Sequence, residues 1–405
     1  MYQLKKGFLY TVLLLMILVV AACSNTTSQP AESGTKDTDT KAEEGEKVVN
    51  IGYSGPLSGP AAYYGENTLG GLKMAVDEIN ESGGFEVNGA THKLNLVSLD
   101  DKYLPNETGS NAKRLVQENK TPIIFVPHSG GIFATQVFNM QDKFIIGAYS
   151  SEPKINEQGN KLTLRIPPKY DAYIKPFSEY QMERFGKKIA MLPTSSQYGK
   201  DWAETLEPKW KEMGGEVVYK GSIDFSKDTD FFTIVTNALK EKPDVMFVGG
   251  PSEPTALVIK QARQLGFKGG FLIMDQAKLD EIEAVLGGPE MIEGSVGVLP
   301  LINSKYEGNE KFIADYAAEN GKNPGSEAGY HYQAMYLFVE AMKAAGSVDD
   351  SEAIMANLQK GLEAIPADKM IYEIEKVEED GGLYTPLRMA VVEDGKIVNQ
   401  STEAK

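Results

Sequence analysis

The sequence predicts an α/β protein of two lobes, each a doubly wound parallel sheet. Short apolar runs of strand length alternate with longer runs of helical period, the pattern of βα units that cover a parallel sheet on both faces. The alternation closes at Leu162 to Pro168 and then restarts. A chain of 405 residues with 41% hydrophobic content is ample for two separate cores. A (βα)8 barrel is the alternative architecture. The Pro/Gly loop that opens the body and the hairpin that ends it fit a barrel less well.

Residues 1–22 read as a signal peptide. Lys5 and Lys6 give a positive start, and Phe8 to Val20 is apolar but short for a bilayer span. The segment ends Val20-Ala21-Ala22-Cys23, which resembles a bacterial lipobox, so Cys23 is the expected lipidation site. A plain secretory leader with a chance cysteine is the competing reading. It must accept that the one cysteine of the chain falls where the motif requires it. Residues 23–47 then form the lipidated cysteine and a polar tether with little to bury, about 80 Å at full extension.

The body opens at Val48 with a buried-type apolar run to Tyr53. A loop with Gly55, Pro56, Gly59, Pro60 and Gly65 follows, and after Asn67 the period becomes helical through Leu69, Leu72, Val76 and Ile79. Gly83-Gly84 stops this helix. The unit is strand, loop, helix, with the loop at the strand's carboxyl end, where open α/β sheets bind ligands. It has neither G-x-x-x-x-G-K-[ST] nor G-x-G-x-x-G, so no nucleotide fingerprint is present. It offers Ser54, Ser58, Tyr63 and Tyr64, suited to a small polar or zwitterionic ligand, or to an ordinary surface turn.

Further strands are expected at Lys93 to Leu99, Pro122 to Pro127 and Phe144 to Ala148, with helices at Asn106 to Asn119 and Ile132 to Gln141. After the restart, strands fall at Lys188 to Leu192, Glu216 to Ser222, Val245 to Gly249, Phe271 to Met274 and Gly294 to Leu299. Helices fill the intervals from Tyr170 to Leu265, and Lys305 to Asn320 and the apolar-striped Glu327 to Ala345 follow. Arg388 to Val392 and Lys396 to Asn399 read as a hairpin about Asp394-Gly395.

The formal charge of −16 repels phosphate backbones and anionic headgroups, so nucleic acid is not an expected partner. The single cysteine excludes an intramolecular disulfide. His92, His128 and His331 never pair at i, i+4, and neither a metal nor another cofactor is expected.

Several motifs now converge. They are Ser54-Gly55-Pro56-Leu57-Ser58-Gly59 with Tyr64-Gly65, Ala75-Val76-Asp77-Glu78-Ile79-Asn80 with Gly83-Gly84, Tyr198-Gly199 after a strand, Gln261-Ala262-Arg263-Gln264-Leu265-Gly266, and Asp394-Gly395-Lys396. With these the chain, from about Val48 to Asn399, resembles the type I periplasmic binding proteins, in particular the branched-chain amino-acid (Leu/Ile/Val-type) substrate-binding family that feeds ABC importers. The resemblance implies three crossovers between the lobes, near Arg165 to Pro168, Val296 to Pro300 and Glu379 to Thr385. Lobe 1 would then hold residues 48–168 and 297–380, and lobe 2 residues 169–296 and 381–405.

Pro127-His128-Ser129-Gly130-Gly131 follows a strand and opens a helix, and a serine hydroxyl with free helix N-terminal amides suits a carboxylate. Ser129 could equally cap only its own helix. The resemblance gives Ser129 and Gly130 the ligand's α-carboxylate, Ser150 and Ser151 further hydroxyl and backbone contacts, and Tyr64 and Tyr198 the role of rings closing from each lobe. It sets Asp275 against the ligand's ammonium, although Asp275 could serve as a helix N-cap. Tyr149 stands where the family usually has a small residue, so the pocket should be narrowed or reshaped there.

The implied function is that of an extracytoplasmic, lipid-anchored, monomeric binder. It would capture an amino acid or related small amide by lobe closure and deliver it to a permease with a cytoplasmic ATPase, without catalysis. A sensor co-receptor of the same fold is the alternative. A serine hydrolase using Ser129, Asp275 and His331 is a third reading, weakened by Pro127 in place of the first glycine of G-x-S-x-G and by a histidine placed mid-helix.

Overall fold

The computed structural model describes residues 47–401, so the leader, Cys23 and nearly all of the tether lie outside the described residues. The first sheet contains β1 (Lys47–Gly55), β2 (Phe85–Val87), β3 (Ala90–Asp100), β4 (Ile123–Val126), β5 (Ile145–Ala148) and β6 (Thr163–Arg165). Their spatial order is β2-β3-β1-β4-β5-β6, parallel apart from the short β2–β3 pair. The second sheet contains β7 (Lys188–Pro193), β8 (Glu216–Lys220), β9 (Val245–Gly249), β10 (Gly270–Ile273) and β11 (Ser295–Val298). After β12 (Lys376–Val377) and β13 (Leu383–Tyr384), which pair only with each other, β14 (Met389–Glu393) and β15 (Lys396–Asn399) complete it. Its order is β15-β14-β11-β10-β9-β7-β8, and β14 runs antiparallel to β11. In each sheet the direction of winding reverses beside the first strand, between β1 and β4 and between β7 and β9. Such reversals open a crevice at the carboxyl ends.

The apolar runs become two-sided cores because alternate strand residues face opposite ways. Ile123 and Phe125 of β4 join the cluster under the helices Ala62–Glu81 and Ser326–Ala345, while Ile124 and Val126 face the cluster of Leu115 and Ile132. In the second sheet Ile189 and Met191 pack with Trp202 and Trp210, and Ala190 and Leu192 with Ile259 and Phe271. The helices Ala62–Glu81 and Ser326–Ala345 approach so closely that a Cβ on Gly71 would stand 2.0 Å from the Ala328 carbonyl oxygen.

The chain passes between the sheets after β6, after β11 and before β14. The first and third passages run side by side. The Arg165 N–H donates to the Gly381 carbonyl (3.0 Å), and its buried guanidinium reaches Asn156 (2.7 Å), the Pro167 carbonyl and Glu378 (3.0 Å). One buried arginine thus ties two of the three connections together. At the end of the chain Asp394 and Gly395 both have positive φ (51° and 67°), as a two-residue hairpin turn requires.

The first helix starts at Ala62, earlier than its apolar period suggests, so Tyr63, Tyr64 and Gly65 lie in its opening turns. Gly65 has no room for a side chain, since its Cβ would fall 1.6 Å from the Pro56 carbonyl oxygen. The expected helix Ile132 to Gln141 begins at Ser129 and breaks into Ser129–Gln136 and Asn139–Asp142. Among the described residues no helix is long and apolar enough to cross a membrane.

Candidate functional site

The two crevices face each other, and the loops leaving β4, β5 and β10 meet the helix Gln197–Glu212 around a narrow cavity. Tyr64, Ser129, Tyr149, Ser150, Ser151, Tyr198 and Asp275 all line it, together with Tyr103, His128, Gln276 and Lys278. Gly130 stands behind Ser129, with Pro105 2.8 Å from where its Cβ would be. Seven of the eight residues singled out from the sequence therefore share one enclosure, and Gly130 adjoins it.

The serine wall comes from the first lobe. His128 precedes the helix Ser129–Gln136 in extended backbone, and its Nδ1 accepts the Gly131 N–H at 3.0 Å. Because Nδ1 accepts, the ring proton sits on Nε2, which donates to Asp101 at 3.0 Å. Asp101 is fully buried and also accepts from Ser54 (3.2 Å), Thr108 (2.9 Å) and the Tyr103 N–H (2.9 Å). This network fixes the turn that carries Ser129. The Ser129 and Gly130 N–H groups, in the first helical turn, have no preceding intrahelical carbonyl to bond. Ser129 Oγ lies 3.1 Å from Ser150 Oγ.

Ser54 and Ser58 do not serve the cavity. Ser54 is bound to Asp101, and Ser58 to Asp100 at 2.5 Å, so the opening-loop serines tie down the end of β3. Tyr64 contributes its ring, while its hydroxyl donates to the Pro127 carbonyl at 2.7 Å. Tyr63 points elsewhere, beneath the Lys322 ammonium.

The opposite wall carries charge. Asp275 Oδ1 accepts from the Tyr198 hydroxyl and from Trp202 Nε1 (3.1 Å), and Oδ2 has no protein donor among the described residues. A carboxylate held by one oxygen and open at the other can take an ammonium. Burial, then the Asp275 charge, pushes the Tyr198 phenol well above its usual range, so it remains a donor. Burial raises Tyr64 and Tyr149 likewise.

The lobes touch across the cavity. Ser151 Oγ meets Tyr198 Oη at 2.8 Å, Gln276 Nε2 donates to Tyr103 Oη at 2.7 Å, and Lys154 pairs with Asp201 at 2.5 Å. Asn67 Nδ2 bridges Glu281 (3.3 Å) and Glu327 (3.1 Å), one carboxylate from each lobe. This is a closed arrangement.

Ser129, Asp275 and His331 do not form a hydrogen-bonded triad. His331 is fully buried within the helix Ser326–Ala345, its Nδ1 on the Glu327 carbonyl (2.7 Å) and its ring 4.8 Å from that of Tyr149. Burial pushes its pKa down to about 4, so it is neutral at pH 7. It packs as expected of a core histidine, although Nε2 has no partner among the described residues. Sequence reading missed His128, Asp101, Tyr103, Gln276 and Lys278. Gln276 and Lys278 sit within three residues of Asp275 on a loop already marked, whereas Asp101 has no local signal.

A family model described as periplasmic binding protein matches residues 48–396. An amino acid binding protein of Pseudomonas aeruginosa is 29% identical over 314 residues, 75% of this chain and 81% of that protein. The leucine-, isoleucine-, valine-, threonine-, and alanine-binding protein of the same organism is 27% identical over 315 residues, with 76% and 83% covered. Among solved structures, a leucine binding protein of Thermotoga maritima superposes with a TM-score of 0.75 at 24% identity, covering 87% of this chain and 98% of that one. A branched-chain amino acid transporter substrate binding protein of Streptococcus pneumoniae, in complex with isoleucine, gives 0.73 at 22%, with 88% and 99% covered. These two likenesses establish the two-lobed fold.

Proposed function

This chain belongs to the periplasmic binding protein family, and from that premise we propose that it captures an amino acid, or a related small amide, between its lobes and delivers it to an ABC importer. The observation that carries this is the pairing of walls in one enclosure. Ser129, Ser150 and Ser151 face it from the first lobe, and Asp275 with Tyr198 from the second. A zwitterion offers an anionic end to the serine turn and helix amides and a cationic end to Asp275. A ligand that contacts both lobes stabilises the closed form over an open one, and the closed form is the species a permease can recognise. The amino-acid binding named for the Pseudomonas relatives agrees with this reading.

The site of action is the outer face of the cell membrane. There a lipid on Cys23 holds the monomeric body by the polar tether, and a permease with a cytoplasmic ATPase receives the ligand. No bond is made or broken. A thermal-shift screen of amino acids, their amides and small aromatic acids tests the binding. A ligand bound only by the native state raises the melting point, and at least one amino acid or amide should do so at micromolar concentration. If none does, and a fluorophosphonate labels Ser129 stoichiometrically, the binder reading is replaced by the hydrolase. Whole-cell uptake of the radiolabelled ligand with and without the gene separates delivery from sensing. Cys23→Ala should release the protein from the membrane fraction.

A further inference from the structure

We propose that a second cavity, adjoining the first, is a subsite for an additional anionic group at the far end of the ligand, with Arg388 as its partner. The proposal rests on the amino-acid reading above and specifies the side chain. The second cavity shares Tyr149, Pro167, Asp275 and Lys278 with the first, so the two adjoin, and a ligand held between the lobes has both sets of walls within reach. Beyond these shared residues its walls include the rings of Tyr173, Tyr330 and Tyr372, and Arg388 supplies its charge.

Arg388 lies on the third passage between the lobes, one residue before β14. Its Nε and Nη2 are buried and have no hydrogen-bond partner, and it forms no ion pair among the described residues. Its guanidinium carbon sits 5.2 Å from the Tyr372 ring centroid. The other arginines of the body behave differently. Arg165 is satisfied by Asn156, Pro167 and Glu378, and Arg263 by the carbonyls of Met291, Phe267, Gly269 and Glu293. Arg114 and Arg184 hold glutamates. Leaving charged donors buried and unpaired is costly, so a guanidinium kept in that state is matched by a partner from outside the chain.

The geometry states the class of partner. Nε and Nη2 form one edge of the guanidinium, the edge that meets a carboxylate with two parallel bonds. Lys278, at the junction of the cavities, has two of its three donors on the Asp275 (2.5 Å) and Gln276 (2.9 Å) carbonyls, whereas Nε and Nη2 of Arg388 are bound to nothing among the described residues. Between the two charged ends the walls are aromatic, with Tyr330 and Tyr372 stacked at 3.8 Å. The ligand is therefore an amino acid whose side chain runs through an apolar segment to a terminal carboxylate.

Isothermal titration with matched pairs tests this. The pairs are L-glutamate and L-norvaline, L-2-aminoadipate and L-norleucine, and L-2-aminopimelate and L-2-aminoheptanoate, which differ within each pair only in a terminal carboxylate replacing a methyl. In at least one pair the acidic member should bind tenfold or more tightly. Arg388→Gln should abolish that preference and leave the neutral member within about threefold. Arg388→Lys, which keeps the charge and loses the fork, should retain part of it. The proposal is overturned if no acidic member is preferred by the unaltered protein, or if Arg388→Gln leaves the preference intact. It is overturned too if the neutral member alone depends on Arg388, since the guanidinium would then hold the α-carboxylate. If no amino acid of either kind binds, the amino-acid reading fails by itself. Adipate and pimelate against hexanoate and heptanoate then decide: diacid binding that Arg388→Gln removes keeps the second subsite, and its absence ends it.

Discussion

Ser151 Oγ lies 2.8 Å from Tyr198 Oη, and the bond joins the loop after β5 in one lobe to the first turn of the helix Gln197–Glu212 in the other. The same phenol donates to Asp275, so Ser151 is the donor to Tyr198. One hydroxyl thus serves closure of the cleft and positions the carboxylate that faces the ligand. Tyr198→Phe keeps the ring and removes both bonds. It should weaken amino-acid binding by about 2 kcal/mol, roughly 30-fold, as loss of a neutral and a charged hydrogen bond implies. Titration calorimetry reads this directly, and an unchanged affinity would separate closure from binding.

The open oxygen of Asp275 gives a selective prediction. Asp275→Ala should cost an amine-bearing ligand about 2–5 kcal/mol, the range for removing one partner of a buried charge pair. A matched acid without the amine should lose almost nothing. With leucine and 4-methylpentanoate as the pair, an equal loss for both would show that Asp275 acts on the loop and not on an ammonium.

The architecture was legible because its determinants are local. Burial on both faces of β4, β7 and β9 follows from continuous apolar runs, and the helix stops coincide with glycines such as Gly214, Gly266 and Gly287 at positive φ. The serine turn after β4 and the aspartate after β10 were legible for the same reason, since both stand where a strand ends. What escaped notice depends on contacts distant in sequence. Ser54 and Ser58 looked available until β3 brought Asp100 and Asp101 beside them. Arg388 reads as the first residue of an ordinary hairpin strand, and only the folded structure shows its donors unpaired. The start at Ala62 was hidden because Tyr63, Tyr64 and Gly65 break the apolar period within the helix itself.

His128 lines the cavity and also holds the serine turn in place, through the Gly131 N–H and Asp101. His128→Ala would leave the Gly131 N–H unsatisfied in a buried site and remove one of the three donors to Asp101 Oδ2, at about 2–4 kcal/mol. The urea midpoint should fall accordingly. The Ser129 turn should also loosen, so ligand affinity should drop by a larger factor than in a variant of equal instability elsewhere, such as Leu206→Ala in the second core. Equal losses in the two variants would reduce His128 to a stability residue.

Glu152 should make stability fall as pH rises. It is fully buried on the loop after β5, accepts from the Lys154 N–H (3.2 Å) and the Tyr170 hydroxyl (3.4 Å), and its second oxygen has no partner among the described residues. Burial, followed by the nearby Asp201 charge, raises its pKa to about 7. An acid that holds its proton more tightly folded than unfolded favours the folded state most at low pH, and that contribution is lost as pH climbs from the unfolded value through about 7. Glu152→Gln keeps an acceptor for both donors and carries no charge at any pH. Its melting temperature should match the parent near pH 4.5 and exceed it by a few degrees at pH 8, a size consistent with the roughly 3 kcal/mol that the raised pKa carries in a chain of this length. Differential scanning calorimetry across that range checks the slope, and a difference independent of pH would mean that Glu152 is ionised in the folded protein throughout.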